Sequence, residues 1–297
     1  MNKSRKRNKK SKKRRKTRKM SKDICSPKLK DNKVENTCYN KKSLLKMKKI
    51  WNMKHPSMKI MNKDPGEILK ELDMRMNNSC KRESCWLNHL YEDNSLKKKE
   101  YDKNFAPVQP KSWSKNPNEW LSSTDIINVM KQRERMCKRF EFIGPSPIDY
   151  DTHTLFGECV WEELCEFNLK DMIDRGIYKV GIIFNLDPHD KPGSHWVCVF
   201  IHIKKKYVYW FDSYGEKPEK QIKKFMNMVL DQASKLGLKY KYLENKIEHQ
   251  RSNSECGMYC LFVIIKLLEG KSPSYFNKRI KDRLVMNLRN KYFNKIN

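Results

Sequence analysis

The sequence predicts an α+β protein, because strand-like and helix-like patterns follow one another through its second half. Amphipathic or apolar helices are predicted at residues 218–236, from Cys256 onward, and at about 274–293. The pattern of residues 122–130 predicts another helix, capped by Ser122, Ser123 or Thr124. Four short apolar runs have the composition of strands: residues 178–186, 195–203, 206–212 and 239–245.

The beginning of the chain is strongly basic. The net charge is +30 over 297 residues, and thirteen of the first twenty residues are Lys or Arg. Such a segment cannot bury apolar side chains, so residues 1–22 are predicted to form a disordered basic tail. The tail is expected to bind nucleic acid or to serve in nuclear targeting, and a solvated leader is the alternative.

Residues 23–105 are predicted to form an N-terminal, mainly helical arm. Helices are predicted at 64–76 and at 80–91, and a proline-bearing connector at 105–120 marks the boundary of a second domain, residues 106–297. Cys80, Cys85 and His89 have a spacing that suits zinc, but no clear fourth ligand stands nearby. We therefore expect buried structural cysteines and no metal.

The cysteine pattern and hydropathy indicate an intracellular protein. The ten cysteines have no repeating spacing, and no apolar segment typical of a signal peptide follows the basic start. We expect the cysteines to stay reduced and the protein not to be secreted. The longest apolar run, residues 257–265, is too short to span a bilayer, so no membrane span is expected.

Three residues of the second half suit nucleophilic catalysis. His195 opens one predicted strand and Asp212 ends the next, so a tight turn would place them side by side. Cys256 stands where a polar loop becomes an apolar helix, and the positive end of a helix favours a thiolate. Together they predict a thiolate nucleophile, a general base and an orienting carboxylate.

Gln250, six residues before Cys256, is a candidate donor to a developing oxyanion, together with the Cys256 backbone amide. Packing roles are the alternative for each of these residues, because a cysteine at a helix start is usually only a small core residue. Cys260 and His202 are predicted to be such packing residues.

Four ordered motifs resemble a known family: "EWLSSTDIINVM", "GSHWVCVFIHI", "YWFDSYG" and "QRSNSECGMYCL". They are similar to motifs of cysteine proteases of the adenovirus-protease and SUMO-protease type. Within that superfamily the chain most resembles the polyprotein-processing thiol proteases of large DNA viruses, the African swine fever virus type. The resemblance covers residues 118–293 and does not extend to the arm.

The resemblance implies a papain-like-superfamily core, with a central mixed sheet flanked by helices and the nucleophile at the N-terminus of the central helix. It implies that Cys256 is the nucleophile, His195 the general base, Asp212 the orienting acid and Gln250 the oxyanion donor. Trp120 and Trp196 are then the walls of a slot that admits only glycine beside the scissile bond, with a core-packing role as the alternative for both.

The activity implied is that of a thiol endopeptidase that needs no cofactor and cuts after Gly in Gly-Gly-X sites. Its expected substrates are viral structural polyprotein precursors, processed during virion maturation, in the virion and at the virus factory in the host cytoplasm. The alternatives are an isopeptidase that removes SUMO or ubiquitin from host proteins, an acyltransferase, and a basic nucleic-acid-binding virion protein on an inactive protease fold.

Overall fold

The structure is a computed structural model that describes residues 22–27, 34–153 and 157–295. The predicted basic tail lies outside these residues except for Lys22, so its disorder stays a prediction. Among the described residues, no helix has both the length and the apolar character that crossing a bilayer requires.

The N-terminal arm is helical and has its own hydrophobic cluster. Tyr39, Trp86 and Phe105 lie at its centre and are fully buried. Tyr39 stacks on the Trp86 ring at 5.7 Å and contacts the Phe105 ring edge-on at 5.1 Å. The helices are α1 (Lys41–Lys54), α2 (Pro65–Met76), α3 (Trp86–Leu90) and α4 (Asn94–Asn104). Of these, α2 begins as predicted, with Pro65 in its first turn and Asp64 as its cap.

The arm joins the rest of the chain through Asn294, which is buried near the C-terminus. Its side chain accepts a hydrogen bond from the Ile24 backbone at 2.6 Å and donates to the Ala106 carbonyl at 3.0 Å. Asn294 therefore ties the start of the connector to Ile24 and to the C-terminal segment. The boundary between residues 105 and 106 stays a prediction.

A five-stranded mixed sheet forms the centre of the second half, in the order β1-β2-β3-β4-β5. The outer pairs β1–β2 and β4–β5 are parallel, and the two inner pairs are antiparallel. This confirms the α+β class and the mixed sheet, and all four predicted strands are present. The strands are β1 (Phe140–Pro147), β2 (Lys179–Asn185), β3 (Trp196–His202), β4 (Tyr207–Phe211) and β5 (Lys241–Glu244).

The strand β1 was not predicted from the sequence. It contains Pro145 and Pro147, and proline is normally excluded from sheet interiors because it cannot donate to the ladder. Here β1 is an edge strand, and its register with β2 shifts between Ile143 and Ser146, on either side of Gly144 and Pro145. The edge position and the irregular register explain why these prolines are tolerated.

Helices cover both faces of the sheet. One face packs against α5 (Ser123–Met136) and α9 (Cys256–Leu268), the other against α6 (Glu162–Cys165), α7 (Leu169–Asp174) and α8 (Lys220–Lys235). Nearly every residue of α9 is buried, as expected for a helix that is apolar on all sides. The helix therefore holds its first residue, Cys256, in a fixed place beside the sheet.

The prediction of one continuous helix over 274–293 is wrong. The segment forms a 3₁₀ turn (Pro273–Asn277), then α10 (Asp282–Asn287) and α11 (Arg289–Tyr292). Between the first two, the amide of Ile280 donates to the His249 ring at 3.0 Å, and its carbonyl accepts from the Tyr259 hydroxyl at 2.7 Å. These tertiary bonds use the backbone groups that a continuous helix would need.

Six of the ten cysteines form disulfide bonds: Cys25–Cys38, Cys80–Cys85 and Cys159–Cys165. The expectation that the cysteines are reduced is therefore wrong for these six. Their spacing along the chain gives no sign that, for example, Cys25 and Cys38 meet with their Cα atoms 4.9 Å apart. Four cysteines are free: Cys137, Cys198, Cys256 and Cys260.

Candidate active site

His195 and Asp212 meet because two neighbouring strands are paired. His195 immediately precedes β3 and Asp212 immediately follows β4. The strands run antiparallel, so the start of one lies beside the end of the other. The His195 Nε2 donates a 2.6 Å hydrogen bond to the Asp212 Oδ1. The structure thus brings together the two residues that the sequence predicted to meet.

Backbone donors hold the Asp212 carboxylate in its orientation. The amides of Tyr214 and Glu216 donate to its two oxygens at 3.3 and 3.1 Å. The Asn245 side chain donates to the Asp212 carbonyl at 2.7 Å and so fixes the backbone as well. A carboxylate held this firmly also fixes the imidazole of His195, which leaves the Nδ1 of that ring for another partner.

Cys256, the first residue of α9, lies near this ring. Cys256 lies close enough to the ring to raise the pKa of His195, at the end of the helix where the macrodipole and the unpaired amides attract negative charge. Burial disfavours the charged form of His195. The hydrogen bonds and negative charges of Asp212 and Cys256 outweigh this and raise the His195 pKa to about 9. The imidazole is therefore protonated at neutral pH, as a thiolate–imidazolium pair requires.

Gly257, the residue after Cys256, leaves room for two side chains that pack against the start of α9. A Cβ atom there would lie 3.1 Å from the Leu121 Cβ and 3.1 Å from the Trp196 Cδ1. Trp196 is buried, and its indole N–H donates to the Leu121 carbonyl at 3.0 Å. Glycine is thus the residue that lets these side chains approach the start of α9.

Trp120 and Trp196 line the same groove but differ in exposure. The groove has a volume of about 870 Å³, and Gly193 lies in its wall beside the two tryptophans. Trp196 is 6% exposed and Trp120 is 43% exposed. Trp196 therefore belongs to the packed floor of the groove and Trp120 to its rim. An exposed indole at that rim argues against a core-packing role for Trp120.

Gln250 is buried, and its side-chain amide has a defined orientation. The Ser213 hydroxyl donates to its Oε1 at 2.7 Å. Its Nε2 donates to the Ser252 carbonyl at 2.7 Å and to the Tyr214 hydroxyl at 3.2 Å. The donor end of the amide, which the sequence predicted to serve an oxyanion, is engaged by these two acceptors.

A buried arginine that was not predicted to belong to the site joins the groove to the start of α9. Arg289 donates at 2.6 Å to the carbonyl of Glu119, on the rim of the groove. Its Nε lies 3.7 Å from the carboxylate of Glu255, the residue just before α9, and its guanidinium lies 4.4 Å from the centre of the Trp113 ring. No local pattern distinguishes this arginine, because the C-terminal segment is rich in basic residues that are mostly exposed.

Two other histidines have structural roles. His202 is a buried residue of β3, as predicted, and burial with the nearby Lys179 and Lys205 lowers its pKa to about 4. His249 contacts Asn245 at 3.2 Å and accepts from the Ile280 amide; burial and Arg279 lower its pKa to about 4.

Within the part of the chain that the structure describes, two groups of side chains have metal-ligating chemistry: Cys80, Cys85 and His89, and His153, Cys159 and Cys165. In each group the two cysteine sulfurs are bonded to each other. A disulfide sulfur is not a thiolate ligand, so neither group presents three metal ligands in this state.

Comparison with known proteins finds relatives of this chain. Residues 177–297 match the model of the Ulp1 protease family, C-terminal catalytic domain. The R355 protein of Acanthamoeba polyphaga mimivirus, which carries the name of a thiol protease, is 30% identical over 292 residues, which cover 91% of this chain and 93% of that protein. A cysteine protease of African swine fever virus is 33% identical over 117 residues, 38% of this chain and 43% of that protein.

The fold extends to a solved structure. The crystal structure of the African swine fever virus protease superposes with a TM-score of 0.65 at 19% identity, and it covers 93% of this chain and 97% of that chain. The shared fold therefore includes the arm as well as the sheet. On the full-length similarity to R355 and the match of its C-terminal part, this chain belongs to the Ulp1 protease family and is a cysteine protease.

Proposed function

We propose that this protein is a thiol endopeptidase that cleaves after glycine in Gly-Gly-X sites, with Cys256 as nucleophile. The observation that carries the proposal is the 2.6 Å hydrogen bond between His195 and Asp212, with Cys256 near the same ring at the start of α9. A thiolate beside an imidazolium attacks a peptide carbonyl at neutral pH without further activation. Asp212 holds the imidazole and stabilises its charge.

The chemistry proceeds in two stages. The Cys256 sulfur forms a bond to the carbonyl carbon, and the carbonyl oxygen becomes an oxyanion near the Cys256 amide and Gln250. His195 gives its proton to the departing amine as the C–N bond breaks, which leaves an acyl-enzyme. The neutral imidazole then takes a proton from water, the hydroxide displaces the sulfur, and the acid product leaves.

The proposed preference for glycine rests on Trp120 and Trp196 as the walls of a slot, the role that the resemblance implies for them. Trp196 and Leu121 lie so close to Gly257 that even a methyl group would contact both at 3.1 Å. Trp120 stands at the rim of the groove that Trp196 also lines. A substrate that passes between these walls to reach the sulfur has room for glycine and little room for a side chain.

The natural substrates in this proposal are viral structural polyprotein precursors. The named relatives are proteins of two large DNA viruses, the mimivirus and African swine fever virus. The proposal places the enzyme in the virion and in the virus factory of the host cytoplasm. The basic tail would hold it on packaged nucleic acid, because thirteen cations in twenty residues give strong and salt-dependent binding.

The direct test is to map the cleavage sites in a peptide library by mass spectrometry. The full chain is expected to cut after Gly-Gly, and Cys256→Ala is expected to cut nothing. Cys137→Ala is the matched control, since it removes a free cysteine outside the site. Cleavage that persists in Cys256→Ala, or cleavage with no preference for glycine, would contradict the proposal.

A second candidate is an isopeptidase that releases ubiquitin-like proteins. Two observations favour it: the match to the Ulp1 family, and the name SUMO-1 cysteine protease given to several African swine fever virus relatives. Both activities need the same glycine slot. SUMO and ubiquitin conjugates should be compared with a viral precursor at equal concentration, and faster turnover of either conjugate would favour the second candidate.

The tail has its own test. Deletion of residues 1–22 should abolish retention on duplex DNA while cleavage of a short peptide continues. For the full chain, the logarithm of the binding constant should fall steeply with the logarithm of salt concentration. A flat salt response, or DNA retention by the deletion variant, would contradict this part of the proposal.

A further inference from the structure

Tyr214 covers the catalytic histidine. It lies two residues after Asp212, and its ring stacks on the His195 ring with centroids 5.0 Å apart and planes inclined at 29°. Tyr214 is 37% exposed, whereas Cys256 is 2% exposed. The tyrosine therefore forms part of the layer that a substrate meets before it reaches the sulfur.

The hydroxyl of Tyr214 also engages Gln250. An amide nitrogen carries two hydrogens, and the Gln250 Nε2 donates one to the Ser252 carbonyl at 2.7 Å and one to the Tyr214 hydroxyl at 3.2 Å. The opposite end of the amide is fixed by the 2.7 Å bond from Ser213, so the side chain cannot simply turn over. In this structure Gln250 has no hydrogen left for an oxyanion.

We propose that Tyr214 is a positioning residue that closes the oxyanion site of the resting enzyme. Its hydroxyl oxygen accepts the Gln250 hydrogen bond that the developing oxyanion receives during catalysis. The inference rests on the proposed function, because it assigns a resting-state acceptor to the donor that the proposed mechanism uses.

Tyr214, rather than Ser252, is the acceptor whose hydrogen bond with Gln250 breaks when the oxyanion forms. The hydrogen bond between Gln250 and Tyr214 is the longer of the two. Tyr214 accepts it with a partly exposed side chain that can rotate, whereas Ser252 accepts with a backbone carbonyl. The two acceptors are also linked, since the Tyr214 hydroxyl donates to the Ser252 carbonyl at 3.2 Å. Rotation of Tyr214 thus frees one Gln250 hydrogen and leaves the bond to Ser252 in place.

The negative charge of the substrate oxyanion favours its replacing the Tyr214 hydroxyl as the acceptor of the Gln250 hydrogen bond. Burial, and then the charges of Cys256 and Asp212, raise the Tyr214 pKa, so the hydroxyl is a neutral acceptor. A hydrogen bond to an anionic oxygen is about twice as strong as one between neutral groups. Gln250 therefore prefers the oxyanion in the transition state and keeps Tyr214 when the site is empty.

Tyr214→Phe removes the hydroxyl and keeps the ring over His195. The expected result is a kcat/KM about fivefold higher on a Gly-Gly peptide, the factor that corresponds to a competing hydrogen bond of about 1 kcal/mol. A peptide that ends in glycine aldehyde provides a second readout. The Cys256 sulfur adds to its carbonyl carbon and the C=O π pair moves to the oxygen, so its inhibition constant should fall by a similar factor.

The Gln250→Ala variant shows whether the effect of Tyr214→Phe depends on the side-chain amide of Gln250. In that background Tyr214→Phe should change neither kcat/KM nor aldehyde inhibition, because no donor remains to be released. Tyr275→Phe is the matched control, since Tyr275 is similarly exposed at 41% and lies outside the site. It should leave both constants unchanged.

Each outcome decides the inference. A rise in Tyr214→Phe that disappears with Gln250→Ala supports it. An unchanged or lower kcat/KM in Tyr214→Phe overturns it, as does a rise that persists in the Gln250→Ala background. Failure of the proposed function would look different, because the wild-type chain itself would then not cleave after glycine.

Discussion

The Ser213 hydroxyl donates a 2.7 Å hydrogen bond to the Oε1 of Gln250 and so fixes which end of that amide is the donor. The backbone supports the same arrangement, since the backbone N–H of Gln250 donates to the backbone carbonyl of Ser213 at 2.9 Å. Ser213 directly follows Asp212. One short turn therefore positions both the carboxylate behind His195 and the predicted oxyanion donor.

Ser213→Ala should lower kcat about tenfold and change KM little, because a Gln250 amide free to turn presents its donor end less often to the oxyanion. Steady-state kinetics on a Gly-Gly peptide measures both constants. Ser194→Ala is the control, since its hydroxyl donates to Asp187 instead. A change in KM alone would show that Ser213 acts on substrate binding.

The raised pKa of His195, about 9, predicts an alkaline limb of kcat/KM near pH 9. Above that pH the imidazole loses the proton that the leaving amine must receive. Because the folded pKa lies above the ordinary 6.5, the stability that the charged ring contributes is complete below about pH 6.5 and is lost as pH rises through 9.

Asp212→Asn should move this limb to lower pH and reduce kcat/KM at neutral pH by roughly 100-fold or more, because the negative charge that stabilises the imidazolium is gone. A full pH–rate profile checks both effects. Asp190→Asn, in an exposed turn, should leave the profile unchanged. A limb that stays near pH 9 in Asp212→Asn would mean that another group controls it.

Gly257→Ala should slow cleavage strongly, because its methyl group contacts Leu121 and Trp196 at 3.1 Å and pushes the slot and the start of α9 apart. Overpacking of this kind costs about 1–3 kcal/mol of stability, which chemical denaturation measures alongside kcat/KM. Gly66→Ala is the control, because its Cβ meets only the end of the Asp64 side chain on an arm helix. Full activity of Gly257→Ala would contradict the narrow slot.

Arg289→Met should lower the free energy of unfolding by about 3–5 kcal/mol, because it leaves the buried Glu255 carboxylate without its cation. It should also raise KM, since the Glu119 carbonyl on the rim of the groove loses its 2.6 Å bond. Denaturation curves and KM test the two effects, with the exposed Arg283→Met as control. An unchanged KM would show that Arg289 does not affect substrate binding in the groove.

The pairing of His195 with Asp212 could be predicted from sequence, because consecutive strands joined by a tight turn put their far ends together whatever surrounds them. The start of α9 at Cys256 was equally predictable from the change of polar loop to apolar run. Both depend only on local pattern and chain connectivity.

The features that could not be predicted depend on distant contacts. The prolines of β1 are tolerated only because that strand lies at the sheet edge. The helix after Ser274 is interrupted at Ile280 because its backbone groups bond to His249 and Tyr259. Likewise, the burial of Arg289 and the contact of Tyr214 with Gln250 depend on segments that are distant in the sequence, and no local pattern predicts that they meet.

Covalent capture tests the central claim most directly. A peptide that ends in Gly-Gly and carries a thiol-reactive electrophile in place of the scissile carbonyl should attach to the full chain at Cys256, as peptide mapping by mass spectrometry would show. Replacement of His195 by Ala should slow the attachment at least about 100-fold at neutral pH. Equal rates in the wild type and His195→Ala, or attachment mainly at Cys137, would contradict a Cys256 nucleophile activated by His195.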